Sequence, residues 1–212
     1  ATGGAHRRVV DVAPAAPCCC LVPVDVAGLV IGRGGSVVQQ ICKDSGAVIN
    51  ISGEDDTPPS LSDRVVTIWG QAAEKEAACR QVVRITHRWQ EVAAGEDGIF
   101  VLVVPISATP IINGPQGATL ESLCEATGAD VRVSPTCVEG TDLQPISIAG
   151  DLEQTCAAAT RISAILQRLA EHGRLAGACF DPWRPPPPPA LAIAATAAER
   201  GRSTGARRAD QA

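Results

Sequence analysis

The sequence predicts an α+β protein built from two copies of one unit, each with the element order β-α-α-β-β-α. The first observation is a repeat: Gly114 follows Gly32, and Gly117 follows Gly35, by the same 82 residues. The second is a turn containing glycine between two helical stretches in both copies. Two related domains explain this repetition better than chance does. A unit of about eighty residues also favours two small cores over one large core.

The first copy is expected to contain three strands and three helices. Ser36 can cap the second helix, and Gly46 can end it. Residues 53–63 combine acidic residues with proline, which predicts a solvated loop. The strands are expected at Cys18 to Val24, Ala47 to Ile51 and Arg64 to Trp69, and the helices at Gly28 to Ile31, Ser36 to Ser45 and Gln71 to about Glu91.

The second copy repeats this order after a linker, residues 92–98. The predicted domains therefore span residues 18–91 and 99–172. Residues 1–17 and 173–212 lack a core pattern and are expected to be disordered. The second set of strands is expected at Ile99 to Pro105, Ala129 to Ser134 and Pro145 to Ala149, and the helices at Thr109 to Asn113, Ala118 to Thr127 and Asp151 to about Glu171.

Composition excludes several classes of protein. A net charge of −5 argues against nucleic-acid binding through bulk electrostatics, so any such binding must be local. The nine cysteines are odd in number and form no C-x-x-C pair, which indicates reduced thiols. The three histidines show no ligand spacing to them, so neither a metal nor a cofactor is expected. No apolar run is long enough to span a membrane. The chain begins with Ala1 and contains no methionine, as expected of a fragment.

Enzyme signatures also fail. A dinucleotide-binding loop needs a third glycine where Val37 stands, and no Gly-Lys-Ser/Thr ending marks a phosphate-binding loop. His87 and His172 fall at or near predicted helix ends and are expected to be solvated, without a nucleophile beside them. We therefore expect a protein without enzymatic activity.

The sequence Ile31-Gly32-Arg33-Gly34-Gly35 between two helices, followed by Ser45-Gly46-Ala47-Val48 at the start of a strand, resembles the KH domain of the eukaryotic type, type I. The chain as a whole is similar to the tandem KH proteins of the poly(C)-binding and Nova-like group. This resemblance implies a three-stranded antiparallel sheet packed on three helices in each domain.

The resemblance also implies binding of single-stranded RNA or single-stranded DNA. Such a glycine turn lets a sugar-phosphate backbone lie against the peptide and clamps about four nucleotides. With 2% aromatic residues, the chain suits an aliphatic groove better than an aromatic stacking platform. The implied binding residues of the first copy are Gly28, Leu29, Ile31, Gly32, Arg33, Gly34, Gly35, Val38, Ile49, Ile51 and Arg64.

Both copies depart from the family pattern. Arg64 matches an arginine of the cytosine-reading members, but Cys42 replaces their second arginine, so pyrimidine-rich strands are expected while the base preference stays open. Residues 99–170 hold three arginines against seven carboxylates, a formal charge of −4. The second copy is therefore expected to bind weakly or to be structural. Its expected weak-binding residues are Ile112, Asn113, Gly114, Pro115, Gln116, Gly117, Leu120 and Val131.

The function implied by the resemblance is selective binding of a single strand in post-transcriptional regulation of mRNA, in the nucleus, the cytoplasm or both. The alternative is a protein–protein scaffold built on KH-like folds, which the acidic balance favours because it weakens attraction to phosphates. The sequence leaves the choice between RNA and DNA open. Homo-oligomers and protein partners stay open as well.

Overall fold

A computed structural model of the protein describes residues 16–175, except residues 55 and 58–60. Most of the two terminal segments predicted to be disordered lies outside the described residues. The first unit consists of strands β1 (Cys18–Val22), β2 (Val48–Ile51) and β3 (Arg64–Trp69) and of helices α1 (Val24–Ile31), α2 (Ser36–Ser45) and α3 (Ala72–Trp89). Strand β3 lies between β2 and β1 and pairs with both in antiparallel fashion.

The second unit repeats this arrangement. Strand β6 lies beside both β4 and β5, and both pairings are antiparallel. The α+β class and the order β-α-α-β-β-α are thereby confirmed in both copies. The elements are strands β4 (Gly98–Pro105), β5 (Asp130–Val133) and β6 (Leu143–Gly150) and helices α4 (Thr109–Asn113), α5 (Ala118–Thr127) and α6 (Leu152–Glu171).

The local differences from the predicted elements lie at the ends of helices. Helix α1 begins at Val24 instead of Gly28, because Pro23 ends strand β1 and starts the helix as its N-cap. The prediction that Ser36 caps α2 is wrong: Gly35, at φ 79°, is the N-cap, and Ser36 is the first helical residue. Gly46 ends the same helix in the left-handed conformation, at φ 79°.

The two three-stranded sheets are joined into one. Cys20 of β1 lies opposite Leu102 of β4 in an antiparallel pairing, which gives a six-stranded sheet with the order β2-β3-β1-β4-β6-β5. One continuous apolar core, with Ile68 and Phe100 among its members, lies between this sheet and the helices. The prediction of two separate cores is therefore wrong. Pairing of β1 with β4 points alternate side chains of both units into the same layer.

Helices and side chains hold the units together as well. Helix α3 packs along α6, and Arg80 of α3 forms an ion pair with Glu153 of α6 in which Nη2 lies 2.8 Å from Oε2. The Gln90 side chain donates from Nε2 to the Ile99 carbonyl at 2.8 Å and accepts from the Ile99 amide at 3.0 Å. This bond pair fixes the start of β4 against the end of α3.

His87 corrects another expectation. The side chain is 6% exposed instead of solvated, and its Nε2 has no hydrogen-bond partner within the described part of the chain. Burial lowers the pKa of His87 below its ordinary value. A Cβ on Gly98 would lie 2.5 Å from His87 Cδ2, so the imidazole packs directly on the first residue of β4. The contact joins the two units, and its position near a helix end did not reveal it.

Candidate nucleic-acid interface

The glycine turn of the first unit has a backbone that a side chain would disrupt. Gly32 ends α1 at φ 70° and ψ 176°, and its amide donates to the Gly28 carbonyl at 2.9 Å. A Cβ on Gly32 would lie 2.4 Å from Val37 Cγ2 and 2.9 Å from the Val37 nitrogen. The chain then passes through Gly34 at φ 60° into the left-handed N-cap Gly35. The residue at position 32 must therefore be glycine for the helices to meet at this angle.

The tip of this turn is open to solvent. A Cβ on Gly34 would meet no atom within 4 Å. Arg33 is exposed and has no hydrogen-bond or ion-pair partner among the residues that the structure describes. A stretch of bare main chain therefore lies beside a guanidinium that is available for a ligand. This combination suits a phosphodiester, which needs close approach and charge-assisted donors.

Aliphatic side chains lie on the elements next to the turn. Leu29 and Ile31 are 51% and 40% exposed, and Gly28 is exposed one turn earlier in the same helix. Helix α2 contacts both α1 and the edge strand β2, and it carries the half-buried Val38. Ile49 and Ile51 of β2 are also half-buried. The predicted aliphatic positions of the first unit therefore reach the surface on three adjoining elements.

Arg64 has a different environment. Its Nη1 donates to the Gly53 carbonyl at 3.1 Å and to Thr57 Oγ1 at 3.2 Å, and its Nη2 lies 3.9 Å from Glu54 Oε2. These contacts hold the guanidinium on the loop between β2 and β3. Reading a base edge would require Arg64 to exchange them. The sequence analysis missed Glu54 and Thr57 as partners, and the acidic character of the loop was the only available signal.

The turn of the second unit has nearly the same backbone. Gly114, Gln116 and Gly117 adopt φ angles of 71°, 52° and 85°. A Cβ on Gly114 would lie 2.0 Å from Thr119 Oγ1. Gln116 thus occupies a left-handed conformation that glycine adopts more easily, and Pro115 removes one backbone N–H from the turn. The shape is retained, while the free amide and the charge are not.

Two of the weak-binding residues predicted in the second unit are core residues. Ile112 is 0% and Val131 is 4% exposed, so the prediction that they contact nucleic acid is wrong. Ile112 stands 82 residues after Val30, which is also buried, and not after the exposed Ile31. The remaining predicted positions reach the surface: Pro115 and Gln116 are exposed, and Asn113, Gly114, Gly117 and Leu120 are half-buried.

Gln144 takes the position of Arg64 in the second unit and is 9% exposed. Its Oε1 accepts from Thr109 Oγ1 at 2.8 Å, and its Nε2 donates to the Ser134 carbonyl. The amide is therefore a structural link between α4 and the end of β5. Within the same described range, no group of three or more histidine, cysteine or acidic residues could hold a metal ion. Nor does a described helix have the length and apolar character to cross a membrane.

Two βααββα units, each with a glycine-ended turn between its first two helices, define a tandem KH architecture. Residues 18–84 and 99–164 both match the KH domain, and the chain belongs to the KH-domain family. It is similar to the RNA-binding protein Nova-2 of Homo sapiens, with 32% identity over 169 residues that cover 71% of this chain and 34% of Nova-2.

A second relative is the RNA-binding KH domain-containing protein PEPPER of Arabidopsis thaliana, 32% identical over 127 residues. That match covers 53% of this chain and 25% of PEPPER, so the chain spans about a third or less of either relative. Among solved structures, Dim2p from Pyrococcus horikoshii is 18% identical with a TM-score of 0.27, over 79% of this chain and 98% of that one. A likeness this low carries no further argument.

Proposed function

We propose that the first KH domain binds a single-stranded segment of RNA through its glycine turn and aliphatic surface, in post-transcriptional regulation of mRNA. The observation that carries this proposal is the tip of the first turn, where Gly34 is open and Arg33 is exposed and unpaired within the described residues. The relatives named above support RNA as the ligand. The proposal places the protein in the nucleus, the cytoplasm or both.

The affinity of the first domain alone is expected to be limited. A clamp of this type contacts about four nucleotides, so physiological binding needs a second site. The strand order puts β2 and β5 at opposite edges of the sheet, and the antiparallel pairing of β1 with β4 reverses one unit relative to the other. A strand that reached both turns would have to cross the molecule and change direction. Two separated short segments are therefore better ligands than one continuous octamer.

The double variant Arg33→Asp with Gly34→Asp tests the proposal. Two carboxylates at the tip repel phosphate, so affinity for a short pyrimidine-rich RNA should fall by at least about tenfold. Fluorescence anisotropy with a labelled oligonucleotide measures this change. Pro115→Asp with Gln116→Asp is the matched control, because these residues occupy the same positions of the second turn. Unchanged affinity in the first variant, with its fold intact, would refute the clamp.

The scaffold function remains the second candidate because the second domain carries a formal charge of −4 between residues 99 and 170. That charge opposes phosphate binding on half of the molecule. Under the scaffold function, the Asp variants of both turns leave RNA affinity equally low and partner binding intact. Under the proposed function, only the first turn is sensitive.

A further inference from the structure

A cavity of about 250 Å³ lies where helix α3 of the first domain meets helix α6 of the second. Its walls are mostly apolar and include Ala72 of α3 and Ala159 of α6. The thiols of Cys18 and Cys79 and the side chain of Lys75 also line it. The cavity therefore gives a small molecule access to two cysteines that are otherwise 4% and 5% exposed.

Lys75 is a buried cation without a carboxylate partner among the described residues. It is 3% exposed, and its Nζ donates to the Ala16 carbonyl at 2.7 Å and to Gln167 Oε1 at 3.3 Å. Both acceptors are neutral, and burial lowers the pKa of the ammonium. An anion formed nearby is stabilised by such a charge, because the surroundings screen it poorly.

The thiol of Cys18 is the nearest candidate for that anion. A hydrogen bond from the Cys79 thiol lowers the pKa of Cys18, Lys75 lowers it further, and burial opposes both effects. The same hydrogen bond, together with burial, raises the pKa of Cys79. Cys20 has no such partner and its pKa is raised by burial, and burial also raises the pKa of Cys156 to about 11. Cys18 is therefore distinguished from its neighbours as a nucleophile.

The second unit lacks this arrangement. Phe100, 82 residues after Cys18, fills the equivalent position with a ring that is 1% exposed, and Ala159 stands 80 residues after Cys79. Thr155 replaces Lys75 and donates its hydroxyl to the Gly150 carbonyl at 3.1 Å. Thiol pair, ammonium and cavity thus occur together on the first unit's side of the interface.

We propose that Cys18 and Cys79 are a peroxide-sensitive dithiol site, with Cys18 as the attacking thiolate and Cys79 as the resolving thiol. The Cys18 sulfur attacks hydrogen peroxide, the O–O bond breaks, and the products are Cys18 sulfenic acid and hydroxide, which takes up a proton to become water. The Cys79 thiol then attacks the sulfenic sulfur and releases a second water. The product disulfide links β1 to α3, and the two sulfurs have lost two electrons to the peroxide.

The site is independent of RNA binding, because it lies between the third helices and not at either turn. Its size matters for the chemistry: peroxide is close to water in size and can enter, whereas bulky alkylating reagents are excluded from a cavity of about 250 Å³ with narrow walls. Oxidation should therefore precede alkylation at Cys18 in the folded protein.

Peptide mapping of the full-length chain tests the proposal. The protein is treated with hydrogen peroxide, the remaining thiols are alkylated in denaturant, and the peptides are analysed by mass spectrometry without reduction. The expected product is the Cys18–Cys79 disulfide, formed before Cys20 or Cys156 is modified. Cys18 left reduced while Cys20 is oxidised, or a disulfide between Cys79 and Cys156, overturns the proposal. The wild-type protein alone decides this result, so no variant has to fold.

Two variants assign the roles. In Cys79→Ser the sulfenic acid cannot be resolved, and dimedone should label Cys18. In Lys75→Met the oxidation of Cys18 should slow by about tenfold for each unit by which the pKa rises. Lys43→Met, which changes an exposed lysine on α2, is the matched control and should leave the rate unchanged. Equal rates in both lysine variants would remove Lys75 from the site.

Discussion

The two turns of this protein share a backbone and differ in chemistry. Gly32, Gly34 and Gly35 adopt φ angles of 70°, 60° and 79°, and the corresponding residues of the second unit adopt 71°, 52° and 85°. Both turns exclude a side chain at their first glycine. Only the first turn presents a free amide, an open Cα and an arginine at its tip. The comparison teaches that the turn is required for folding and that binding depends on the two residues inside it.

Substitution of the first glycine in either turn should have the largest effect. Gly32→Ala and Gly114→Ala each force a Cβ into backbone and side chain at a φ that only glycine tolerates, and each should lower the free energy of unfolding by about 3 kcal/mol. Urea denaturation measures this loss. Gly34→Ala is the control, because its Cβ meets nothing and a left-handed alanine costs about 1 kcal/mol. Equal losses at positions 32 and 34 would contradict the steric argument.

Exchange of the inner residues should transfer binding without affecting the fold. Arg33→Pro with Gly34→Gln should weaken RNA binding by about tenfold, because the turn loses an amide and a charge. Pro115→Arg with Gln116→Gly should strengthen binding by the second unit by only about threefold, since Val131 is buried and the surrounding charge is negative. Isothermal titration with a short RNA checks both. A full gain in the second unit would show that the turn alone determines affinity.

Salt dependence gives a smaller but more specific signal. A single phosphate contact to a single strand contributes about 0.7 to the slope of log K against log salt concentration. Arg33→Gln should reduce that slope by about this amount. Arg132→Gln, in an exposed pair with Asp130 of the second unit, should leave it unchanged. A slope that responds equally to both substitutions would place the phosphate elsewhere.

The smallest effect concerns a symmetric pair of contacts between the units. His87 packs on Gly98, and Gln167, 80 residues later, accepts a hydrogen bond from the Ala16 amide at 3.1 Å. Only His87 titrates. Because burial lowers its pKa, the unfolded chain binds a proton more readily, and stability should fall as the pH drops below the ordinary value of 6.5.

His87→Gln should flatten this decline, and His172→Gln, at an exposed position, should not. Thermal unfolding between pH 7.5 and about 5, above the range in which carboxylates titrate, measures the difference. An identical decline in both variants would assign the pH dependence to other groups.

Much of this structure could be predicted from the sequence, and the missing parts have a common cause. The helix Ala118–Thr127 and the strand Arg64–Trp69 follow from local pattern and end where predicted. The pairing of Cys20 with Leu102, the burial of His87 and the cavity at Cys18 depend on contacts between units, which a periodicity within one unit does not contain. Arg64 shows the same limit at the site, because its partners on the loop are set by the folded chain.

Backbone amide shifts during titration of the two-domain chain with a short pyrimidine-rich RNA test the central claim most directly. The account predicts that the amides of Gly32, Arg33, Gly34 and Gly35 shift at the lowest RNA concentrations, while those of Gly114, Gln116 and Gly117 shift later or remain unchanged. Shifts that appear first in the second turn, or on neither turn, would contradict it.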